Sequence, residues 1–121
     1  MASNILRLFL VVVVAILVGS KTEASVNCRQ TIPTLLPCLS FFTGPGSARP
    51  SPPCCAAAHK LDQIAIKSTP DRQALCQCLK NVATSKPLRS KINFNNAKAI
   101  SSLCHLTTTI HIDPNVDCSR V

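Results

Sequence analysis

The chain has 121 residues, 8 of them cysteine and 9 proline, with 3 glycines and neither tryptophan nor tyrosine. Thirteen Lys and Arg against five Asp and Glu give a formal charge of +8, and 46% of the residues are hydrophobic. That balance excludes a disordered chain and a large enzyme with a separate cofactor domain, and it indicates one domain built on disulfides.

Arg7 precedes an unbroken apolar run from Leu8 to Val18. The run is too short to span a bilayer, which takes roughly 20 residues, and has the length of a secretory leader's core. Thr22-Glu23-Ala24 places small residues at the −3 and −1 positions, so cleavage is expected after Ala24. Residues 1–24 then form a removed signal peptide and residues 25–121 the mature domain. The mature chain loses two cations (Arg7, Lys21) and one anion (Glu23), so the formal charge of +8 becomes +7 and no glutamate remains. All eight cysteines lie in that part, where an oxidising compartment keeps disulfides intact. No apolar run follows Cys118 and no Asn-x-Ser/Thr sequon occurs. The expected product is soluble and extracellular, with neither a lipid anchor nor an asparagine-linked glycan.

Four helical segments follow. Ile32, Leu35, Leu36 and Leu39 repeat at i, i+3, i+4 and i+7, with Pro33 and Pro37 bending the first helix or delaying its start. Residues 43–53 hold two glycines and four prolines and read as a loop. A second helix is expected from about Cys54 to Lys67, with Ala57, Leu61, Ile64 and Ala65 on one face. The third opens on Thr69 as N-cap, Pro70 as first helical residue and Asp71 at the positive dipole end, and carries the stripe Leu75, Cys78, Leu79, Val82. The fourth covers about Asn95 to Cys104, with Ala97, Ile100 and Leu103, and His105 to Val121 reads as an extended tail. The expected class is all-α, a small four-helix bundle stapled by disulfides. In so small a domain, burial at about 25 cal/mol per Å² barely offsets ordering at about 1.5 kcal/mol per residue. Bridges worth about 2–4 kcal/mol each release the interior from having to be solid.

The cysteines run Cys28-x9-Cys38-x15-Cys54-Cys55-x20-Cys76-x-Cys78-x25-Cys104-x13-Cys118. Eight cysteines allow 105 pairings. Neighbours on a helix point about 100° apart, so Cys54 and Cys55 seek different partners, and Cys76 and Cys78 bridge to opposite sides. This order resembles the eight-cysteine motif of plant non-specific lipid transfer proteins, of the prolamin superfamily. The outer gaps of nine and thirteen residues, and polar Gln77 inside the Cys-x-Cys, are similar to type 1, while the three central gaps are long for it. Leu36-Pro37-Cys38, Pro52-Pro53-Cys54-Cys55, Asp71 to Lys80 and the stretch from Ile92-Asn93 to Leu103-Cys104 carry the likeness further. The resemblance implies bridges Cys28–Cys78, Cys38–Cys54, Cys55–Cys104 and Cys76–Cys118. It also implies four helices around an internal hydrophobic tunnel, closed by the C-terminal tail.

Two family pentapeptides bear on lipid contact. Ser68-Thr69-Pro70-Asp71-Arg72 meets the pattern Thr/Ser-x-x-Asp-Arg/Lys. The second, Pro-Tyr-x-Ile-Ser, falls on Thr109-Ile110-His111-Ile112-Asp113, so the family's tyrosine is Ile110 here. Arg72 is the candidate polar contact at the pocket mouth, since a guanidinium holds a carboxylate or phosphate by two parallel bonds; pairing with Asp71 or Asp113 is the alternative. Leu35, Leu39, Leu61, Ile64, Leu75, Leu79, Val82, Ile100, Ile110 and Ile112 are plain core by spacing, and walls of a lipid cavity by the resemblance.

His59, His105 and His111 stand apart from any metal-ligand spacing, no serine sits in a nucleophile-elbow glycine pattern, and no cofactor is called for. Scattered cations without tyrosine or tryptophan argue against nucleic acid. The expected function is that of a monomeric secreted carrier of fatty acids, lysophospholipids and phospholipids in the plant cell wall, meeting anionic membrane surfaces transiently and serving cuticle or cell-wall lipid deposition or defence. Ten buried methylenes at about 0.8 kcal/mol each give roughly 8 kcal/mol gross, the equivalent of micromolar affinity before association costs are subtracted. A cationic antimicrobial protein is the alternative. A hydrolase inhibitor ranks lower, and four mature glutamines (Gln30, Gln63, Gln73, Gln77) argue against seed storage.

Overall fold

The structure, a computed structural model, describes residues 4–8 and 26–121. Ala24 and the run from Phe9 to Val18, on which the leader reading rests, lie outside the described residues. No helix among the described residues is long and apolar enough to cross a membrane.

From residue 26 onward the elements are α1 (Cys28–Thr34), a 3-10 turn (Leu36–Cys38), α2 (Leu39–Phe42), α3 (Pro52–Lys67), α4 (Thr69–Thr84), α5 (Lys86–Arg89), α6 (Phe94–Leu103) and a 3-10 turn (Cys118–Arg120). There is no strand among the described residues. The expected first helix is thus three short pieces. The Asn27 side chain caps α1 by accepting from Arg29 N–H. Pro37 has no N–H to return to the carbonyl of Pro33, so the chain tightens into i→i−3 bonds, Leu35 N–H to Ile32 O and Cys38 N–H to Leu35 O.

The later helices begin earlier than their patterns suggest. Ser51 caps α3 by accepting from Cys54 N–H, and Pro52 and Pro53 occupy the first two helical positions, which need no donor. Ser68, not Thr69, caps α4: it is extended, its hydroxyl accepts from Asp71 N–H at 3.1 Å, and Thr69 is already helical. Asn93 caps α6 by accepting from Asn95 and Asn96 N–H. At the other end His105 takes a left-handed φ of 55°. That conformation lets His105 and Leu106 N–H return to the carbonyls of Ser102 and Ser101, which satisfies the last turn and swings the chain into the tail.

The core is built from small side chains. Ala57, Ala58, Ala65, Ala83 and Ala97 are buried beside Leu61, Leu79 and Ile100, which are about 1% exposed. Alanines let α3 and α4 approach closely, and the three large aliphatics each contribute about 1.5–3 kcal/mol. Disulfides join Cys28 to Cys78, Cys38 to Cys54, Cys55 to Cys104 and Cys76 to Cys118. They tie α1 to α4, the first 3-10 turn to α3, α3 to the end of α6, and α4 to the tail.

The Gly/Pro loop is held by α6. The amide of buried Asn96 donates to the carbonyls of Phe41, Gly44 and Pro45 at 2.9–3.2 Å. Asn93 adds a bond to Gly44 O. Gly44 suits this site because a Cβ there would sit 2.6 Å from the Ser40 carbonyl.

Candidate functional site: an apolar cavity closed by the tail

A cavity of about 220 Å³ lies among α1, α2, α4, α5 and the tail. Ile32, Leu35, Leu36, Leu39 and Phe42 form one wall; Leu79, Val82, Leu88, Ile92 and Ile112 form the other. All ten side chains are apolar, so an ordered water would find no partner there. Leu36 and Leu39 are 65% and 48% exposed and mark where the cavity meets solvent, whereas Ile112 is 4% exposed and closes it from within.

The broken first helix explains the first wall. Because the 3-10 turn resets the helical phase, Leu36 and Leu39 turn outward at the rim while Leu35 and Phe42 stay inside. The second wall comes from α4, whose Leu79 and Val82 are three residues apart on one face. Short helix α5 adds Leu88, and Ile92 follows it.

A much smaller space of about 10 Å³ adjoins, bounded by Ala65, Arg72, Leu75, Cys76, Leu79 and residues 109–111 with Val121. Leu79 lines both spaces. Arg72 is found here and not in the larger cavity. Its guanidinium donates to Ala65 O at 3.1 Å and to the Thr69 hydroxyl at 3.1 Å, bracing the turn between α3 and α4.

Of the residues singled out from sequence, Leu35, Leu39, Leu79, Val82 and Ile112 meet at the large cavity. Leu75 and Ile110 meet Arg72 at the small space. Leu61 and Ile64 line a different groove, with Lys60, Lys67, Gln30 and Thr34. Ile100 belongs to the solid core, within the buried cluster that includes Phe41 and Ala97. Sequence reasoning missed Ile32 and Leu36 as wall residues, although both belong to its first stripe. It also missed Phe42, Leu88 and Ile92. The i, i+4 spacing of Leu88 and Ile92 was available as a signal, hidden by a four-residue helix too short to show a period.

The tail reaches the cavity because α3 holds it. Asp62, 4% exposed, accepts from Thr107 N–H at 2.9 Å and Thr108 N–H at 2.8 Å, and from the Thr108 hydroxyl. Burial alone would raise its pKa. The Thr108 hydroxyl, the two amides and the charge of His59 outweigh that and hold the carboxyl below its ordinary value. Ile110 N–H donates to the Ser101 hydroxyl, Lys80 donates to Val116 O, and Gln73 to Ser119 O. Between these anchors Ile110 and Ile112 are driven inward.

The family described as "Probable lipid transfer" matches residues 8–113. A non-specific lipid-transfer protein of Gerbera hybrida is 33% identical over 121 residues, covering 100% of this chain and 99% of that one. Non-specific lipid-transfer protein 5 of Lens culinaris is 36% identical over 122 residues, with coverage of 100% and 99%. Among solved structures, barley non-specific lipid transfer protein 1 in complex with a lysophosphatidylcholine superposes with a TM-score of 0.64 at 38% identity, over 79% of this chain and 99% of that one. The wheat protein complexed with two molecules of phospholipid gives 0.61 at 38% identity, over 79% and 100%. The fold thus has counterparts along nearly the full length of proteins known by one name, and the chain belongs to the non-specific lipid-transfer protein family.

Proposed function

We propose that this protein is a carrier that takes up the acyl chain of a fatty acid, lysophospholipid or phospholipid without covalent change and releases it to another membrane. The observation that carries the reading is the 220 Å³ cavity with ten apolar walls and an open rim at Leu36 and Leu39. A dry apolar cavity of about 150 Å³ already binds a small apolar ligand. The barley and wheat relatives, complexed with lysophosphatidylcholine and phospholipid, support the same occupant. Each buried methylene gains about 0.8 kcal/mol, and association costs bring the net to the micromolar range. Such affinity is enough to extract a lipid and weak enough to return it.

Leu35, Leu39, Leu79, Val82 and Ile112 are the chain contacts in this reading. Arg72 meets a carboxylate or phosphate only from a ligand that passes Leu79, the residue common to the two spaces. In this reading cleavage after Ala24 releases the protein outside the cell.

The test is titration of the oxidised protein with a fluorescent fatty acid. A saturable signal displaced by unlabelled fatty acid is expected. Ile112→Asp sets a carboxylate against the apolar wall, and the cost of burying it lowers affinity about 100-fold while the helical circular dichroism stays intact. A wild-type protein without a saturable, displaceable signal overturns the reading.

A further inference from the structure

The cavity's rim combines two features that do not follow from holding an acyl chain. Leu36 and Leu39 line the cavity and yet project into solvent. Leu88 and Ile92 line it from the segment 86–92, which also carries three basic side chains. Lys86 and Arg89 flank Leu88, Lys91 precedes Ile92, and all three cations are exposed. No acidic residue occurs between Asp71 and Asp113, and Asp113, next to wall residue Ile112, is the single carboxylate adjacent to a wall residue against these three cations. The other large exposed aliphatic of the domain, Ile66, is not part of this cavity.

We propose that the rim formed by Leu36 and Leu39 with Lys86, Arg89 and Lys91 is a docking face for the surface of an anionic phospholipid bilayer. The inference rests on the carrier reading and names the face through which the cavity meets its source of lipid. Charge complementarity selects the occupant. A neutral apolar partner would leave three cations at the edge of the contact, whereas anionic head groups attract them as the two leucines enter the interface. Stable membrane contact of a peripheral protein takes two weak signals together, an apolar insertion and a basic cluster. Leu36 and Leu39 line the cavity, and each of the three cations lies within two residues of its wall residues Leu88 or Ile92, so a molecule docked through both has its apolar cavity facing the acyl layer. A lipid then moves along apolar surface without exposing its chain to water.

The test compares two variants of equal charge loss. K86Q/K91Q removes cations at the rim. K60Q/K67Q removes them at the groove beside Leu61 and Ile64, which shares no residue with the cavity. Binding is measured by co-sedimentation of the oxidised protein with phosphatidylcholine vesicles containing phosphatidylglycerol, at low salt. Each cation near such a surface contributes roughly a fivefold factor, so K86Q/K91Q weakens binding roughly 25-fold and K60Q/K67Q less than about threefold. Added salt erases the difference. Uptake of the fluorescent fatty acid by K86Q/K91Q in the absence of vesicles matches wild type, because neither lysine lines the cavity. Equal losses in the two variants mean attraction by net charge with no defined face and overturn the proposal. So does a wild-type dimer in solution that L36S/L39S dissociates, which would assign the rim to a second copy. A wild type that docks as described but takes up no fatty acid leaves the docking face standing and defeats the carrier reading.

Discussion

Asp62 shapes the site without touching the cavity. Its carboxylate receives two backbone amides and a hydroxyl from Thr107 and Thr108, which begin the tail, and so sets where Ile110 and Ile112 arrive. Asparagine there keeps one acceptor and turns a second donor toward donors, which costs about 1–3 kcal/mol. Because the folded pKa is depressed, the carboxylate's contribution is present above the unfolded value near 3.8 and lost as pH falls through the lower folded value. Asp62→Asn is therefore expected to lower stability by about 1–3 kcal/mol at neutral pH, with faster amide exchange at Thr107 and Thr108. The gap between variant and wild type should narrow below about pH 4, as denaturant unfolding across pH would show. Nothing in the sequence marked this residue: it stands forty-five positions from its partner Thr107 and follows no capping or pairing pattern. Arg72 was legible as a functional type but not in its place, since its bonds to Ala65 O and Thr69 depend on how α3 turns into α4.

At the scale of elements, helical period found α3, α4 and α6 because each buries one face along nearly three turns or more. The pieces it could not resolve are those where proline or brevity defeats the period. Pro37 marks where the first helix breaks, with Pro33 still inside α1, and α5 has four residues, too few for a repeat. Both fall at the cavity, where walls with changed phase and short span leave space that a regular helix would fill. The tail, expected to be extended, is mostly so and ends in the 3-10 turn Cys118–Arg120. Spacing left its tether among many pairings; the Cys76–Cys118 bridge closes a loop of 42 residues, which corresponds to about 4 kcal/mol in the chain-entropy account. Replacing both cysteines with alanine should cost about 2–4 kcal/mol in denaturant unfolding while the helical circular dichroism of the folded protein persists. Exchange should quicken at the Ile110 and Val116 amides and not at the centre of α3, because three bridges still join the helices. Equal acceleration in both places would mean that the tail and the helices open as one unit.

For the whole molecule, the cavity and the bridges belong to one balance. Leaving 220 Å³ unfilled forgoes roughly 5 kcal/mol, at about 24 cal/mol per Å³ of void. That loss is comparable with what a single long-loop bridge supplies, and this domain has four. A core with five buried alanines and only six buried large aliphatics and two phenylalanines has little surplus to absorb it unaided. The same comparison says what happens when the space is filled. Val82→Phe extends a cavity-wall side chain from the last turn of α4 into the void, so about 1 kcal/mol of the missing packing returns and the lipid-free protein unfolds at a higher denaturant concentration. The room for an acyl chain shrinks, and affinity for the fluorescent fatty acid should fall at least about tenfold, the equivalent of 1.4 kcal/mol. Thermal unfolding with fatty acid joins the two effects. At a hundredfold excess over Kd the wild type gains about 2.7 kcal/mol, a rise of about 13 °C, whereas Val82→Phe at the same lipid concentration gains roughly half as much. A variant more stable when empty and less stabilised by lipid is the expected mark of a cavity kept open for its ligand. A variant that gains stability with undiminished lipid affinity would place the acyl chain somewhere other than against Val82.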